Sequence, residues 1–184
     1  MALLRSRLRV PTHGMPLPLG QPPQSLCIIR LSAIGDVCHT VPVVRALQDA
    51  WPSTKLTWII GKTEHSLLKG LTGVEFIVLD KARGLSGYSD VRRALRRRRF
   101  DALLHMHASA RANLVSLLVN SPLRIGFDRA RARDQQWLFT NSKLPTRQER
   151  HVMDGLFEFA ELIGVQHGEP RWDLPVGADD VAAI

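Results

Sequence analysis

The stretch LCIIRL at residues 26–31, followed by SAIGD at residues 32–36, decides the fold class of this chain. A short, uninterrupted apolar run with β-branched members is typical of a strand buried on both faces of a parallel sheet. Apolar residues then recur at helical spacing from Val37 to Leu47, and Pro42 falls near the predicted first turn, where a missing N–H costs little. The pattern predicts a strand, a tight turn and a helix.

The same unit repeats along the chain. Further strands are predicted at residues 55–60, 74–79, 101–106 and 123–127, and further helices at about 65–69, 89–98, 109–119 and 149–163. Strands that alternate with helices predict an α/β domain with a Rossmann-like, doubly wound parallel sheet, whose ligand crevice lies outside the carboxyl ends of the strands. We therefore expect the functional residues in the loops that follow strands, at residues 32–36, 61–64, 81–89, 107–111 and 128–141.

Length and composition fit one soluble domain with an additional amino-terminal segment. The chain has 184 residues, of which 45% are hydrophobic, and domains of about 100 to 150 residues are the most common. Residues 1–24 carry arginines and several prolines, which predicts a flexible tail, with the true start at Met1 or Met15; residues 25–184 are the predicted domain. No stretch approaches the roughly 20 apolar residues of a spanning helix, and the two cysteines form no disulfide framework. These features predict a cytoplasmic protein.

Positive charge is concentrated in the middle of the chain. The formal net charge is +8, but residues 81–133 carry thirteen basic and three acidic side chains, whereas residues 154–184 carry seven acidic side chains and one arginine. The densest basic run includes Arg92, Arg93, Arg96 and Arg97. Three interpretations are open: a solvated helix terminus, a nucleic-acid contact, or a clamp for anionic lipid and sugar phosphates. Few aromatic residues lie nearby to stack on bases, which weakens the nucleic-acid interpretation.

The first loop argues against a dinucleotide cofactor. It holds a single glycine, Gly35, where the GxGxxG fingerprint needs three. A carboxylate, Asp36, stands at the predicted helix start, where it would repel a pyrophosphate. Two interpretations of Asp36 remain open: a helix N-cap, or a base that accepts a proton from an attacking hydroxyl.

Residues 30–42, RLSAIGDVCHTVP, resemble the amino-terminal motif of the lipopolysaccharide heptosyltransferases, glycosyltransferase family 9. Further matches follow in the order that this family shows: Ala46-Leu47 with Trp51-Pro52, Phe100-Asp101, residues 124–128 (RIGFD), and His151. The resemblance covers roughly residues 26–165.

The resemblance implies a GT-B architecture, in which two Rossmann-like domains face each other across a cleft. This chain resembles the amino-terminal, acceptor-binding half, without the carboxyl-terminal donor domain. The implied reaction is transfer of heptose from ADP-heptose to the Kdo inner-core acceptor of lipopolysaccharide, with inversion, by an enzyme peripheral at the inner membrane. The donor would be bound mainly by the other half, so we expect this chain alone to be inactive. A polyanionic Kdo-lipid A acceptor favours the clamp interpretation of the arginine run.

The resemblance also assigns roles to particular residues. The Asp of the G-D-V motif, here Asp36, is the family's proposed general base. Acceptor contacts are expected at the motif and after the fourth long strand: Arg30, Ser32, Ala33, Gly35, His39 and Arg111. A second interpretation of His39 stays open, in which its side chain only satisfies backbone groups. Arg30 either holds an acceptor carboxylate, keeps Asp36 ionised, or forms a structural ion pair. Where several relatives carry an acidic residue and a Gln, this chain has His105 and His107.

Neither a metal nor a bound cofactor is expected. The chain has no DxD motif, and His105 with His107 would supply two ligands, fewer than a zinc site needs. An alternative function stays open: a non-catalytic basic α/β module that binds anionic lipid or nucleic acid.

Overall fold

A computed structural model describes residues 17–147, 151–166 and 168–174. Six strands are formed by Ser25–Ile29 (β1), Lys55–Gly61 (β2), Val74–Leu79 (β3), Ala102–His105 (β4), Leu123–Gly126 (β5) and Ser142–Lys143 (β6). Five α-helices are formed by Ile34–Ala50 (α1), Lys62–Leu68 (α2), Leu85–Leu95 (α3), Ala110–Ser116 (α4) and Val152–Ile163 (α5). Two 3₁₀ segments lie at Lys81–Arg83 and Arg133–Leu138. None of the helices in the described ranges is long and apolar enough to cross a membrane.

All six strands are parallel and lie in the order β3-β2-β1-β4-β5-β6. This is the doubly wound order in which the chain starts at the centre, builds outward to one side, and then crosses to build the other side. The order reverses between β1 and β4, so the crevice of the sheet lies at the carboxyl ends of these two strands. The predicted Rossmann-like, doubly wound α/β fold is confirmed.

The central strand β1 is buried on both faces, as its unbroken apolar run predicts. Leu26 and Ile28 point to the face covered by α1 and α5, while Cys27 and Ile29 point to the face covered by α3 and α4. Each of the four side chains is completely buried. Burial raises the pKa of the Cys27 thiol, which therefore behaves as a small apolar side chain.

The structure moves several predicted element ends. Helix α1 begins at Ile34 rather than near Val37, so Pro42 lies in the helix interior, buried against the core. An interior proline removes one helical hydrogen bond; Pro42 is buried, and α1 and α5 pack in the same core cluster. Helix α3 begins before the predicted Ser89 and ends at Leu95. The arginines at residues 96–98, which were predicted to end this helix, therefore lie in the loop that leads into β4.

Two predicted segments fall partly outside the described residues. Residues 1–16 of the predicted tail and residues 148–150 at the start of the predicted last helix belong there. Within the described part, Leu19 is buried in the core, and its N–H donates to the carbonyl of Ile163 at 3.1 Å. Residues 17–24 thus pack against the domain, although their composition predicts a tail.

Candidate functional site

The candidate site lies where β1 and β4 end side by side at the crevice. Ile29 of β1 is paired with His105 of β4, so the residues that follow each strand emerge next to each other. Arg30 and Asp36 come from the β1 side, and His107 comes from the β4 side. Residues far apart in the sequence therefore meet at the one place in the sheet where ligands are expected.

Arg30 ties the two strand ends together. Its side chain is buried, its Nη1 donates to the carbonyl oxygen of Met106 at 2.5 Å, and its Nη2 forms an ion pair with Oδ2 of Asp36. The backbone carbonyl of Arg30 accepts a hydrogen bond from the indole of Trp58 at 3.1 Å. Burial lowers the pKa of Arg30, and the adjacent Asp36 opposes that shift, so the cation depends on its carboxylate partner. The position of Arg30 fits two of its predicted roles, a structural ion pair and a cation that faces the substrate.

Asp36 does not cap helix α1. The N-cap is Ala33, no side chain caps the helix, and Asp36 lies in the first turn. A carboxylate there interacts favourably with the helix dipole, and Oδ2 is held by Arg30. The side chain remains about one-third exposed (34%), and within the described part of the chain Oδ1 has no hydrogen-bond partner. The N-cap interpretation of Asp36 is therefore wrong, and its role as a base stays a prediction.

His107 completes the site from the β4 side, with a defined tautomer. Its Nδ1 accepts a hydrogen bond from the backbone N–H of Leu31 at 3.1 Å. Burial, reinforced by the nearby Arg30, lowers the pKa of His107 to about 4, while Asp36 acts in the opposite direction. The ring is therefore neutral at physiological pH, and its proton is on Nε2. His107 can thus donate one hydrogen bond without carrying charge.

The two histidines at the end of β4 predict a loss of stability in acid. His105 is completely buried, its Nδ1 lies 3.1 Å from Nε2 of Gln136, and burial lowers its pKa to about 3. Because both folded-state pKa values lie below the usual value of 6.5, the unfolded chain takes up protons first as the pH falls. Stability is complete above that value and declines below it, by up to about 1.4 kcal/mol per pH unit for each histidine.

Urea unfolding at several pH values between 7 and 5 measures this decline. In the variant His107→Gln the amide oxygen can still accept from Leu31, but one titrating group is removed. We expect its free energy of unfolding to fall less steeply with pH than that of the wild type. Equal slopes for the two proteins would contradict the buried, neutral state of His107.

A cavity of about 210 Å³ adjoins the site on the β2 side. Its lining includes Ser32 from the first loop and the exposed Arg111 from the first turn of α4. Gly35 faces open space, since a Cβ built there would contact no atom of the protein. The exposed Ala33 lies on the same loop. Of the predicted acceptor residues, Ser32 and Arg111 thus line the cavity, while Ala33 and Gly35 lie on the loop that contains Ser32.

The cavity also contains residues that sequence reasoning did not single out. Lys62 forms an ion pair with Asp80 at 2.8 Å across the ends of β2 and β3. Glu64 is buried beneath Gly61, where a Cβ would lie 2.3 Å from Oε2 of Glu64 and 2.5 Å from the carbonyl oxygen of Leu31. Their position in the sequence was the one signal that could have identified them, because Lys62 and Asp80 directly follow strands and Glu64 lies in the first turn of α2, just after β2.

Other predicted residues lie elsewhere. The half-buried His39 has its ring edge-to-face with that of His151, with centroids 5.3 Å apart, so it contacts the start of α5. The arginines Arg92, Arg93, Arg96 and Arg97 are all exposed, but they follow the course of α3 away from the crevice towards the start of β4. The structure therefore separates this arginine run from the candidate site.

Three further arginines, Arg129, Arg131 and Arg133, lie in or next to the loop after β5, and the structure gives them different surroundings. Arg131 forms ion pairs with the buried carboxylates of Asp128 and Glu158, the latter at 2.7 Å. Arg131 therefore connects this loop to α5 and is not available to a ligand. Arg129 and Arg133 are exposed, and Arg129 lies over the ring of Trp137, 4.8 Å from its centroid.

Comparison with known proteins identifies the family of the chain. Residues 89–183 match the family model of glycosyltransferase family 9 (heptosyltransferase). The chain is 44% identical over 166 residues to the lipopolysaccharide core heptosyltransferase OpsX of Haemophilus influenzae, covering 90% of this chain and 48% of the relative.

Solved structures support the fold. E. coli heptosyltransferase WaaC with ADP aligns with a TM-score of 0.72 at 23% identity, covering 82% of this chain and 51% of that one. A family 9 glycosyl transferase from Veillonella parvula also gives a TM-score of 0.72, at 20% identity, covering 85% and 46% of the two chains. The chain spans about half the length of the relatives it matches. The fold, the sequence motif and the family model lead to one conclusion: this chain belongs to glycosyltransferase family 9, the heptosyltransferases.

Proposed function

We propose that this chain forms the acceptor-binding half of an inverting heptosyltransferase that transfers heptose from ADP-heptose to the Kdo inner-core acceptor of lipopolysaccharide. The observation that carries the proposal is the carboxylate of Asp36 at the strand-order reversal, with one oxygen on Arg30 and the other without a hydrogen-bond partner among the residues that the structure describes. A second Rossmann-like domain of the GT-B architecture would bind the donor across the cleft. This chain needs no cofactor of its own in the proposed reaction.

Asp36 acts in this proposal as the general base. A hydroxyl oxygen of the acceptor attacks the anomeric carbon of heptose, the bond from that carbon to the diphosphate oxygen breaks, and ADP leaves from the opposite face. The proton of the hydroxyl moves to Asp36. A carboxylate is far too weak a base to ionise a free alcohol, so the proton transfer is concerted with formation of the new bond. One displacement inverts the configuration at the anomeric carbon.

The neighbours of Asp36 have separate tasks. Arg30 holds Oδ2 and keeps the carboxylate oriented, while Oδ1 faces the acceptor. The Nε2–H of neutral His107 donates to an acceptor oxygen, because its Nδ1 is already occupied by Leu31. Arg111 supplies a positive charge at the edge of the cavity for a Kdo carboxylate. Ser32, Ala33 and Gly35 allow the sugar to approach the backbone.

The proposed enzyme works at the cytoplasmic side of the inner membrane, as a peripheral protein. The acceptor is lipid-linked, so its sugars lie close to a bilayer surface. The exposed arginines of the run at residues 92–97 support this location, because arginines near an anionic leaflet are attracted to it.

A transfer assay tests the function. The complete protein that contains this chain is incubated with Kdo-lipid A and ADP-heptose, and the products are analysed by mass spectrometry and NMR. We expect the acceptor to gain one heptose, with the anomeric configuration opposite to that of the donor. We expect this chain alone to bind the acceptor but not ADP.

Two results would contradict the proposal. Acceptor or anionic lipid bound without any transfer would favour a non-catalytic basic module. Tight binding of ADP by this chain alone would contradict the division of labour between the two halves.

A further inference from the structure

One face of the domain is built from three neighbouring segments. Helices α3 and α4 cover the same side of the sheet, since Val91 and Val115 belong to one core cluster. The 3₁₀ segment Arg133–Leu138 lies beside α4, where Asp134 accepts a hydrogen bond from the N–H of Ala110 at 2.8 Å. Its carbonyl accepts another from the side chain of Asn113 at 2.7 Å. We refer to this surface, formed by α3, α4 and the 3₁₀ segment, as the α3/α4 face.

Large apolar side chains lie exposed at the centre of the α3/α4 face. Leu114 and Leu117 are one turn apart at the outer side of α4 and are 54% and 52% exposed, whereas Val115 is completely buried. On the neighbouring 3₁₀ segment, Trp137 and Leu138 are 42% and 50% exposed. Single exposed leucines are common on soluble proteins, but four large apolar side chains on two adjoining segments indicate a contact surface.

Arginines border this apolar centre on both sides. On the α3 side, Arg92 and Arg96 line a cavity of about 490 Å³ together with Leu118. On the other side, Arg129 lies over the ring of Trp137, and the exposed Arg133 begins the 3₁₀ segment that contains Trp137. None of these four arginines forms an ion pair within the described part of the chain, so their charge is available to an anionic partner.

We propose that the α3/α4 face docks on an anionic phospholipid bilayer, with Trp137 and the exposed leucines in the headgroup region and the arginines on lipid phosphates. An apolar centre that contains tryptophan, bordered by basic residues, is the composition of an interfacial membrane contact. The arginine run at residues 92–97 then forms one border of this contact and does not bind lipid alone.

The position of α4 relates this face to the candidate site. Arg111, in the first turn of α4, lines the cavity beside the site, and Leu114 and Leu117 follow it along the same helix. A docked α3/α4 face would therefore hold the acceptor cavity close to the bilayer. This inference rests on the proposed function, because a lipid-linked acceptor requires the enzyme to work at a membrane surface.

Vesicle binding by the complete protein, without donor or acceptor, tests the inference. We expect binding to vesicles of phosphatidylglycerol and phosphatidylethanolamine, and little binding to phosphatidylcholine. The triple variant Leu114→Ser, Leu117→Ser and Trp137→Ser should bind about tenfold more weakly or worse, because the apolar contact is lost. The pair Arg92→Glu and Arg96→Glu should also weaken binding and reduce its salt dependence. Leu67→Ser is the matched control, since Leu67 is a similarly exposed leucine (42%) on α2, outside the α3/α4 face.

Tryptophan fluorescence distinguishes insertion from surface attraction. Of the four tryptophans of this chain, Trp51 and Trp58 are buried, so a blue shift that arises from this chain must come from Trp137 or Trp172. We expect Trp137→Phe to abolish the shift and Trp172→Phe to retain it. Binding by the triple variant equal to that of the wild type would overturn the proposal, as would binding that salt abolishes completely without any blue shift.

Two other partners of the α3/α4 face, a second copy of the chain and another part of the same protein, would give different experimental results. Self-association that the triple variant abolishes would overturn the proposal in favour of a second copy of the chain. Trp137 already buried in the complete protein would assign the face to an internal contact. Transfer to a deacylated, soluble acceptor should stay unchanged in the triple variant, so failure of docking and failure of the proposed reaction can be told apart.

Discussion

Replacing Arg124 by leucine is expected to lower the free energy of unfolding by about 3 kcal/mol. The buried Arg124 donates hydrogen bonds to the carbonyl oxygens of Ser116 at 2.7 Å, Val119 at 2.9 Å and Phe139 at 2.8 Å. It therefore joins the end of α4 to the chain between the 3₁₀ segment and β6. Leucine would leave three carbonyl groups without their donor. Part of that loss is offset, because burial lowers the pKa of Arg124 to about 10 and the desolvation cost of the cation disappears.

Urea unfolding at pH 7 measures this change, and Arg147→Leu provides the comparison. Arg147 is exposed and forms a surface ion pair with Glu161 at 3.3 Å, so its replacement should cost less than about 1 kcal/mol. If Arg124→Leu unfolded at the same urea concentration as Arg147→Leu, the role of Arg124 as a structural clamp would be disproved.

The fold was predictable because its signal is local. The apolar run at residues 26–31 and the helical spacing after it are visible in single segments, and a repeated strand and helix pattern leaves few arrangements of a parallel sheet. The short strand β6 was missed, since two residues carry no recognisable periodicity. The 3₁₀ segment Arg133–Leu138 was also missed. It depends on the distant partner of Gln136, whose side chain donates to the carbonyl of His105 at 2.7 Å.

The site was predictable in part. Asp36 and Arg30 lie in one motif after one strand, so their proximity follows from the sequence. Their connection to Met106 and His107 does not, because it depends on β1 and β4 being neighbours although about 75 residues separate them. Roles that depend on partners distant in the sequence, such as the three hydrogen bonds of Arg124 to backbone carbonyls, could not be predicted either. The residues of the RIGFD motif at 124–128 were noticed only as a family pattern.

The roles of the individual arginines were the least predictable part of the sequence. Counting charges located the basic surplus at residues 81–133, but not the differences among its arginines. Arg98 is paired with Glu75 at 2.5 Å, Arg131 is paired with two buried carboxylates, and Arg124 is buried. Among the exposed arginines, Arg92, Arg96, Arg129 and Arg133 belong to the α3/α4 face, whereas Arg111 lines the cavity beside the candidate site. One part of the positive charge is therefore paired or buried within the fold, and the other part is exposed on the surface.

Replacing Asp36 by asparagine is expected to lower kcat for heptose transfer by about a hundredfold to ten-thousandfold, the usual contribution of a general base. Asparagine has the same shape and can still accept a hydrogen bond, but it cannot take up the proton. Acceptor binding should change little, because Arg111 and His107 remain. The variant should stay folded, since Arg30 keeps its hydrogen bond to Met106.

A matched control is available on the same helix. Asp49 lies at the other end of α1, is exposed, and pairs with Arg171 at 2.6 Å on the surface. Asp49→Asn removes one carboxylate from α1 without touching the crevice, so kcat should stay at the wild-type value.

The most direct test of the account is therefore kcat for heptose transfer by Asp36→Asn in the complete protein, at saturating donor and acceptor. We predict a loss of about a hundredfold or more, with acceptor affinity and thermal stability close to those of Asp49→Asn. A variant that transfers heptose at a rate within about threefold of the wild type would contradict the assignment of Asp36 as the base.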